Sequence, residues 1–168
     1  MSDPLARALH AIVPAPDELA LFSRFVGPWS LHWRGRTAEG GDAEADGELT
    51  FGVVLAGRAV QDVWRIPPSV PGDPGVAGTG FHGTTIRFPD PSIDAWRSTW
   101  VEPLNARVRK FVGAPHGDDI VLLSVDGDPH LRWSFVEIAD KSFTWIGEAS
   151  TDGGHTWFEE ERMRATRR

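Results

Sequence analysis

The feature that most constrains this chain is a long series of short segments in which polar and apolar residues alternate, each ended by turn residues. Ten such segments follow one another from Trp29 onward and predict ten β-strands. In one of them Trp96, Ser98 and Trp100 share a face, and the residues between them take the other face. We place the strands at residues 29–37, 46–56, 58–66, 79–88, 93–102, 105–113, 119–125, 130–138, 141–150 and 155–165.

Consecutive short hairpins leave two exposed edges in a flat sheet, and closure into an up-and-down barrel removes both edges. One convincing helical pattern, residues 16–27, precedes the first strand. In it Leu19, Phe22 and Val26 recur at helical spacing, with Phe25 beside them. We therefore predict an all-β fold, a closed antiparallel barrel of about 8–10 strands with a short N-terminal helix plugging one end. A barrel of this size encloses a cavity as well as a core.

The length of 168 residues fits one domain. We assign residues 1–14 to an N-terminal arm and residues 15–168 to a single barrel domain, with the helix in 16–27 and the barrel in 28–166. The segment 67–78 contains four prolines and three glycines and predicts an irregular loop. This loop is either a lid over the mouth of a cavity or a tolerated surface insertion.

Composition excludes several classes of function. The absence of cysteine excludes thiol catalysis and cysteine-ligated zinc, and no histidine or carboxylate spacing indicates another metal site. A net charge of −7 argues against a nucleic-acid partner. The sequence shows neither an export signal nor an apolar run near the ~20 residues of a membrane span. We expect a cytoplasmic protein with no membrane partner.

The segment Phe25 to Trp29 carries a G-x-W motif at the start of the first strand, directly after the short helix. It resembles the calycin superfamily, which contains lipocalins, fatty-acid-binding proteins and nitrobindin-like haem barrels. The resemblance implies that an arginine near the end of the last strand packs over Trp29, and Arg162 or Arg164 stands at the expected place. Most of residues 20–165 look similar to an uncharacterised bacterial family of lipocalin-like barrels, which implies a fold and no established reaction.

The resemblance raises haem as a cofactor, because a haem-binding barrel holds the iron through an axial histidine. None of the histidines aligns with that ligand position, so we expect no haem and no other cofactor. The histidines compared are His32, His82, His116, His130 and His155.

Tryptophan is unusually frequent, with eight residues in the chain. These side chains either fill the barrel as core or line a cavity that suits a flat, apolar or aromatic ligand, and both interpretations stay open. The candidate ligand-binding tryptophans are Trp33, Trp64, Trp96, Trp100, Trp133 and Trp145.

Strand parity places Arg58, Asp62 and Trp64 on one face, which an inward Trp64 turns into the barrel. A carboxylate inside an apolar barrel needs a partner, and Arg87 or Arg58 can supply it. The pair would anchor a ligand, or Asp62 would act as a general base, or the pair would be a structural salt bridge.

Two other residues are candidate acid–base groups. His82 lies on the face opposite Arg87, where the alternative is a surface histidine. Glu102 shares a face with Trp96 and Trp100, where the alternative is a charge at the rim.

These residues lead to three hypotheses. The first is a protein that binds a small, mostly apolar or aromatic ligand in a tryptophan-lined cavity, oriented by Arg58, Asp62 and Arg87. The second is a small barrel enzyme of the cyclase, isomerase or hydratase type, in which Asp62, His82 or Glu102 moves a proton. The third is a barrel packed shut with a structural role. A homodimer stays open in each case.

Overall fold

The computed structural model describes residues 3–9, 14–36, 40–67 and 80–168. The predicted loop 67–78, and with it the question of a lid, lies outside the described residues except for Pro67. Ten strands are present: β1 (Gly27–Arg36), β2 (Asp42–Val54), β3 (Ala59–Ile66), β4 (Phe81–Asp90), β5 (Ala95–Glu102), β6 (Arg107–His116), β7 (Asp119–Ser124), β8 (His130–Ala139), β9 (Ser142–Ser150) and β10 (Phe158–Arg167).

Each strand pairs in antiparallel fashion with the next, and β10 pairs with β1 to close the barrel. The closing register runs from Trp29 opposite Arg167 to Gly35 opposite Glu161. The predicted closed antiparallel barrel with a short N-terminal helix is confirmed. Within the described residues, no helix is both long enough and apolar enough to cross a bilayer.

The alternating pattern of the sequence becomes the alternation between the two faces of the barrel wall. In β5 the side chains of Trp96, Ser98 and Trp100 are buried inside the barrel, as predicted. In β3 the residues Val60, Asp62 and Trp64 are buried in the same way. One face of every strand thus contributes to a common interior.

The N-terminal helix plugs the end of the barrel where β1 begins. It consists of a 3-10 turn (Asp17–Leu19) followed by one helical turn, α2 (Ala20–Ser23). Phe22 packs against Trp96 of β5 and Phe135 of β8, with ring centroids 4.9 and 5.7 Å away. The helix is shorter than predicted, and Val26 is exposed because the helical spacing ends before it.

An earlier helix, α1 (Pro4–Leu9), buries no side chain, and the carbonyl of Leu9 accepts a hydrogen bond from the amide of Leu55. The division into an arm at residues 1–14 and a barrel domain at 15–168 stays a prediction.

An arginine does pack over Trp29, but it is Arg167 and neither of the two predicted. Its guanidinium carbon lies 4.3 Å from the Trp29 ring centroid, and it donates hydrogen bonds to the carbonyls of three residues that end the helix or join β8 to β9. The prediction of Arg162 or Arg164 is wrong because of register: Trp29 is opposite Arg167, and Arg164 is opposite His32. Arg162 pairs instead with Glu159, and Arg164 pairs with Glu137, both on the outer surface.

Candidate functional site

The end of the barrel opposite the helix contains a cavity of about 280 Å³. It lies where β3, β5, β7 and β9 end and where β4, β6, β8 and β10 begin, so both halves of the sheet contribute to it. Its wall is apolar and aromatic, and its charged residues come from two strands, β6 and β10. The lining residues are Trp64, Ile66, Phe81, Trp100, Arg107, Arg109, Pro129, Leu131, Trp133, Trp145, Glu160, Glu161 and Met163.

Four tryptophans in this wall form a closed ring of edge-to-face contacts, which we call the tryptophan tetrad (Trp64, Trp100, Trp133 and Trp145). The ring centroids are 6.0 Å apart for Trp64–Trp100 and for Trp100–Trp133. They are 5.3 Å apart for Trp133–Trp145 and 5.2 Å for Trp145–Trp64. T-shaped aromatic pairs contribute interaction energy beyond the burial of their apolar surface, so the four contacts stabilise the positions of the tetrad's rings.

Two glycines, Gly83 of β4 and Gly147 of β9, make room for the tetrad. A Cβ at Gly83 would lie 2.6 Å from Cη2 of Trp100, and a Cβ at Gly147 would lie 2.7 Å from Cη2 of Trp145. Both distances are shorter than real side chains tolerate. The sequence therefore pairs large rings with strand positions that carry no side chain.

Two of the tetrad's indole N–H groups have no hydrogen-bond partner among the described residues. They are Nε1 of Trp64 and Nε1 of Trp145, and the two residues are 5% and 2% exposed. A buried donor without an acceptor is unfavourable by about 1–3 kcal/mol. Both residues line the cavity with their rings, while their Nε1 atoms lie beneath its surface and are not exposed to it.

A buried ion pair lies inside the barrel between the tryptophan tetrad and the end that the helix plugs. Nη2 of Arg87 donates to Oδ2 of Asp62 at 2.6 Å, and the Thr85 amide donates to Oδ1 of Asp62 at 2.9 Å. The two charged side chains are 0% and 2% exposed. The guanidinium of Arg87 also lies 4.7 Å from the ring of Phe22 in the plug. The predicted pairing of Asp62 with Arg87 is confirmed, and neither residue lines the cavity.

The structure separates the eight predicted ligand-binding residues into two groups. The tetrad lines the cavity, and the other four residues do not. Trp96 packs against Phe22 of the N-terminal helix, and Arg87 forms an ion pair with Asp62. Trp33 is half-buried near the rim, where its indole N–H donates to Glu161 at 2.7 Å.

The inward placement of Arg58 is wrong. Arg58 is exposed in the turn that precedes β3, where its amide donates to the Val54 carbonyl. The parity argument fails there because parity holds only within a paired strand, and the pairing of β2 with β3 begins at Ala59.

The remaining two acid–base candidates also lie away from the cavity lining. His82 is on the face opposite Arg87, as predicted, and its Nδ1 lies 3.2 Å from Nη1 of Arg65. Glu102 is fully buried and is not a rim charge. It accepts hydrogen bonds from the backbone amides of His82, Leu104 and Asn105, and from the Asn105 side chain, so it fixes the connection to β6. A role of Asp62, His82 or Glu102 in proton transfer stays a prediction.

Sequence reasoning missed the charged residues at the rim. From the sequence, the acidic run 159–161 is predicted to be exposed to solvent. In the structure, a register shift between Glu159 and Glu161 inserts Glu160 as an extra residue in β10. This β-bulge brings both Glu160 and Glu161 to the cavity, while Glu159 stays outside and pairs with Arg162. Nothing in the local sequence marks the bulge.

The electrostatics of the rim follow from this arrangement. Burial raises the pKa of Glu161, and the hydrogen bond from Trp33 partly offsets the rise. Burial also raises the pKa of Glu160, and the nearby charges of Arg107 and Arg109 oppose that effect. Both carboxyls therefore hold a proton to higher pH than an ordinary glutamate does. Within the described ranges, no group of three metal-binding side chains occurs.

No protein-family model matches the sequence, and a search of curated proteins returns no significant match. Solved structures do match. An S-type phycobiliprotein lyase, CpeS of Guillardia theta, superposes with a TM-score of 0.57 at 11% identity over 89% of this chain and 91% of its own. Rv2717c of M. tuberculosis superposes with a TM-score of 0.62 at 13% identity over 92% and 99%. These likenesses show a lipocalin-like barrel fold, and membership in a bacterial family stays a prediction.

Proposed function

We propose that this protein binds a small, mostly apolar or aromatic ligand in the cavity above the tryptophan tetrad. The observation that carries the proposal is a cavity of about 280 Å³ at the end of the barrel opposite the helix, whose wall contains the four rings of the tryptophan tetrad. The rings of an aromatic ligand would pack on these rings and remove apolar surface from water. A barrel that was packed shut would leave no such space.

The size of the cavity sets the size of the ligand. Its volume of about 280 Å³ is near the low end of ligand pockets, and it is roughly twice the ~150 Å³ cavity that accommodates benzene. We infer a ligand with a body of about two fused rings. The proposal includes a cytoplasmic location, and a homodimer stays open.

The first experiment compares the native mass of freshly purified protein with its denatured mass. An added mass that is lost on denaturation supports the proposal and gives the ligand's chemical class. Titration calorimetry with 2-naphthamide, a neutral two-ring probe with one acceptor, then measures binding directly.

A matched pair of variants locates the binding. Leu131→Trp places a large ring in the cavity wall, and Leu123→Trp makes the same change on the exposed outer face of the neighbouring strand. We expect the first variant to lose 2-naphthamide binding and the second to retain it. Absence of both a retained ligand and 2-naphthamide binding would overturn the proposal, as would equal binding by the two variants.

A further inference from the structure

The rim of the cavity carries four charged residues on two separate strands, and this arrangement bears on the ligand. Arg107 and Arg109 come from β6, and Glu160 and Glu161 come from the bulge in β10. All four line the same cavity as the tryptophan tetrad. A purely apolar ligand would make no use of them.

The two arginines have no counterion in contact. Within the part of the chain that the structure describes, neither guanidinium has a hydrogen bond or an ion pair with a protein group, and no glutamate lies within bridging distance. Arg107 lies 5.9 Å from the ring of Phe81, and Arg109 packs closely against Gly127 in the turn before β8. Arg107 is exposed and Arg109 is half-buried, so their donors are available to a ligand at the rim.

We propose that this rim is a head-group site for a monoanionic group, such as a carboxylate, carried by the apolar ligand, and that Glu160 and Glu161 take up a proton when it binds. This inference rests on the proposed function. The anion would accept hydrogen bonds from Arg107 and Arg109 while its rings lie on the tetrad. Arginine is suited to this role because its planar fork donates two parallel hydrogen bonds to a carboxylate.

The proton uptake follows from the position of the two glutamates. When ionised, they compensate the charge of the arginines and repel an incoming anion. When protonated, they leave the arginines uncompensated, and each carboxyl can donate a hydrogen bond to the anion. The proton comes from the solvent, and the carboxylate of the ligand stays ionised. Burial already holds the pKa values of Glu160 and Glu161 above their usual range, so the added negative charge of the bound anion shifts both carboxyls further toward the protonated form.

The other charged groups near the bulge are already paired or lie outside the cavity. Trp33 of β1 donates to Glu161, and Glu148 of β9 pairs with Arg132 on the outer face. A second recess lies on the other side of the bulge and places further charged groups near Glu160 and Glu161. Within this recess Arg34 pairs with Glu44, and Arg162 pairs with Glu159. These groups are Arg34, Arg36, Asp42, Glu44, Glu159 and Arg162.

The test compares 2-naphthoate with 2-naphthamide, two probes of the same shape of which only the first is an anion. We expect the full-length protein to bind 2-naphthoate more tightly, and Arg107→Gln or Arg109→Gln to weaken its binding by about tenfold or more. The binding of 2-naphthamide should not change. Lys110→Gln is the matched control, because it removes the same charge from the exposed outer face of the same strand.

The proton uptake is tested by calorimetry in Bis-Tris and in Tris, two buffers that differ in ionisation enthalpy and carry neither an anionic group nor an aromatic ring. We expect different binding enthalpies for 2-naphthoate in the two buffers and weaker binding as the pH rises from about 5 to about 8. Glu161→Gln should reduce both effects, and the neighbouring outward-facing Glu159→Gln should reduce neither.

The outcomes separate the two proposals. If 2-naphthamide binds and 2-naphthoate gains nothing from the arginines, the head-group site is refuted and the apolar cavity stands. If the arginines matter but the binding enthalpies agree between buffers, the proton uptake is refuted. If neither probe binds, both proposals fall.

Discussion

Replacement of Asp62 by asparagine is the sharpest perturbation of this fold. Asparagine has nearly the same shape as aspartate, and its amide oxygen can still accept the hydrogen bond from the Thr85 amide. It removes the only counterion in contact with Arg87 among the described residues, at a position with no access to water. The change therefore isolates the charge and leaves the packing in place.

The expected magnitude comes from the burial of the partner that remains. Arg87 is 2% exposed, and its Nε and Nη1 atoms already lack hydrogen-bond partners within the described part of the chain. Breaking a buried pair by removing one partner destabilises a protein by about 3–5 kcal/mol. For a chain of this length that loss corresponds to a decrease in Tm of roughly 6–20 °C.

The assay is urea denaturation followed by tryptophan fluorescence, with three variants. Asp62→Asn should show the full loss, and Asp62→Asn combined with Arg87→Met should be more stable than the single variant, because methionine removes the uncompensated charge. Glu44→Gln, in an exposed pair with Arg34, should have a much smaller effect. A loss below about 1 kcal/mol for Asp62→Asn, or a double variant no more stable than the single one, would refute the reasoning.

Three further predictions concern other parts of the barrel. Arg167→Leu should lower the free energy of unfolding by about 2 kcal/mol or more, since it removes three hydrogen bonds to carbonyls and the contact with the Trp29 ring. Arg164→Leu should lower it far less when both variants are compared by the same urea denaturation. Wild-type stability should fall as the pH rises through the raised pKa of Glu161, because the carboxyl must then ionise where it is buried. Glu161→Gln should flatten that profile and be the more stable protein at neutral pH, as urea midpoints across the pH range will show. Asp152 has a pKa lowered to about 2, chiefly by the side-chain hydrogen bond from Thr156; carbon NMR titration should find that value, and Thr156→Val should return it toward 3.8.

The barrel could be predicted from sequence because its two determinants are local. Alternation along each segment identifies strands and their inward faces, and turn residues between the segments impose consecutive hairpins. The same local parity placed Asp62 inside the barrel, and because a buried carboxylate needs a cation, the sequence predicted a partner that was either Arg87 or Arg58. The error at Arg58 lies at the boundary of a strand, where parity no longer applies.

The rim charges could not be predicted, because a bulge changes the face of every residue beyond it. With unbroken alternation along β10, Glu159 and Glu161 would share a face. The extra residue Glu160 separates them, so Glu161 lies in the cavity wall and Glu159 outside. Arg167 was missed for a related reason, since its place over Trp29 depends on the register between the first and last strands.

Alternation along a strand shows which residues face inward, but it does not show how far along the barrel axis each of them lies. Trp96 and Trp100 share a face of β5 and are equally inward by parity, yet four residues of strand separate them by about 13 Å. That distance places Trp96 against Phe22 in the plug and Trp100 in the tetrad that lines the cavity. Only the stagger of all ten strands decides which inward residues meet at one level. A site in a closed barrel is therefore a property of one layer, and sequence alone identifies the members of the interior without assigning them to layers.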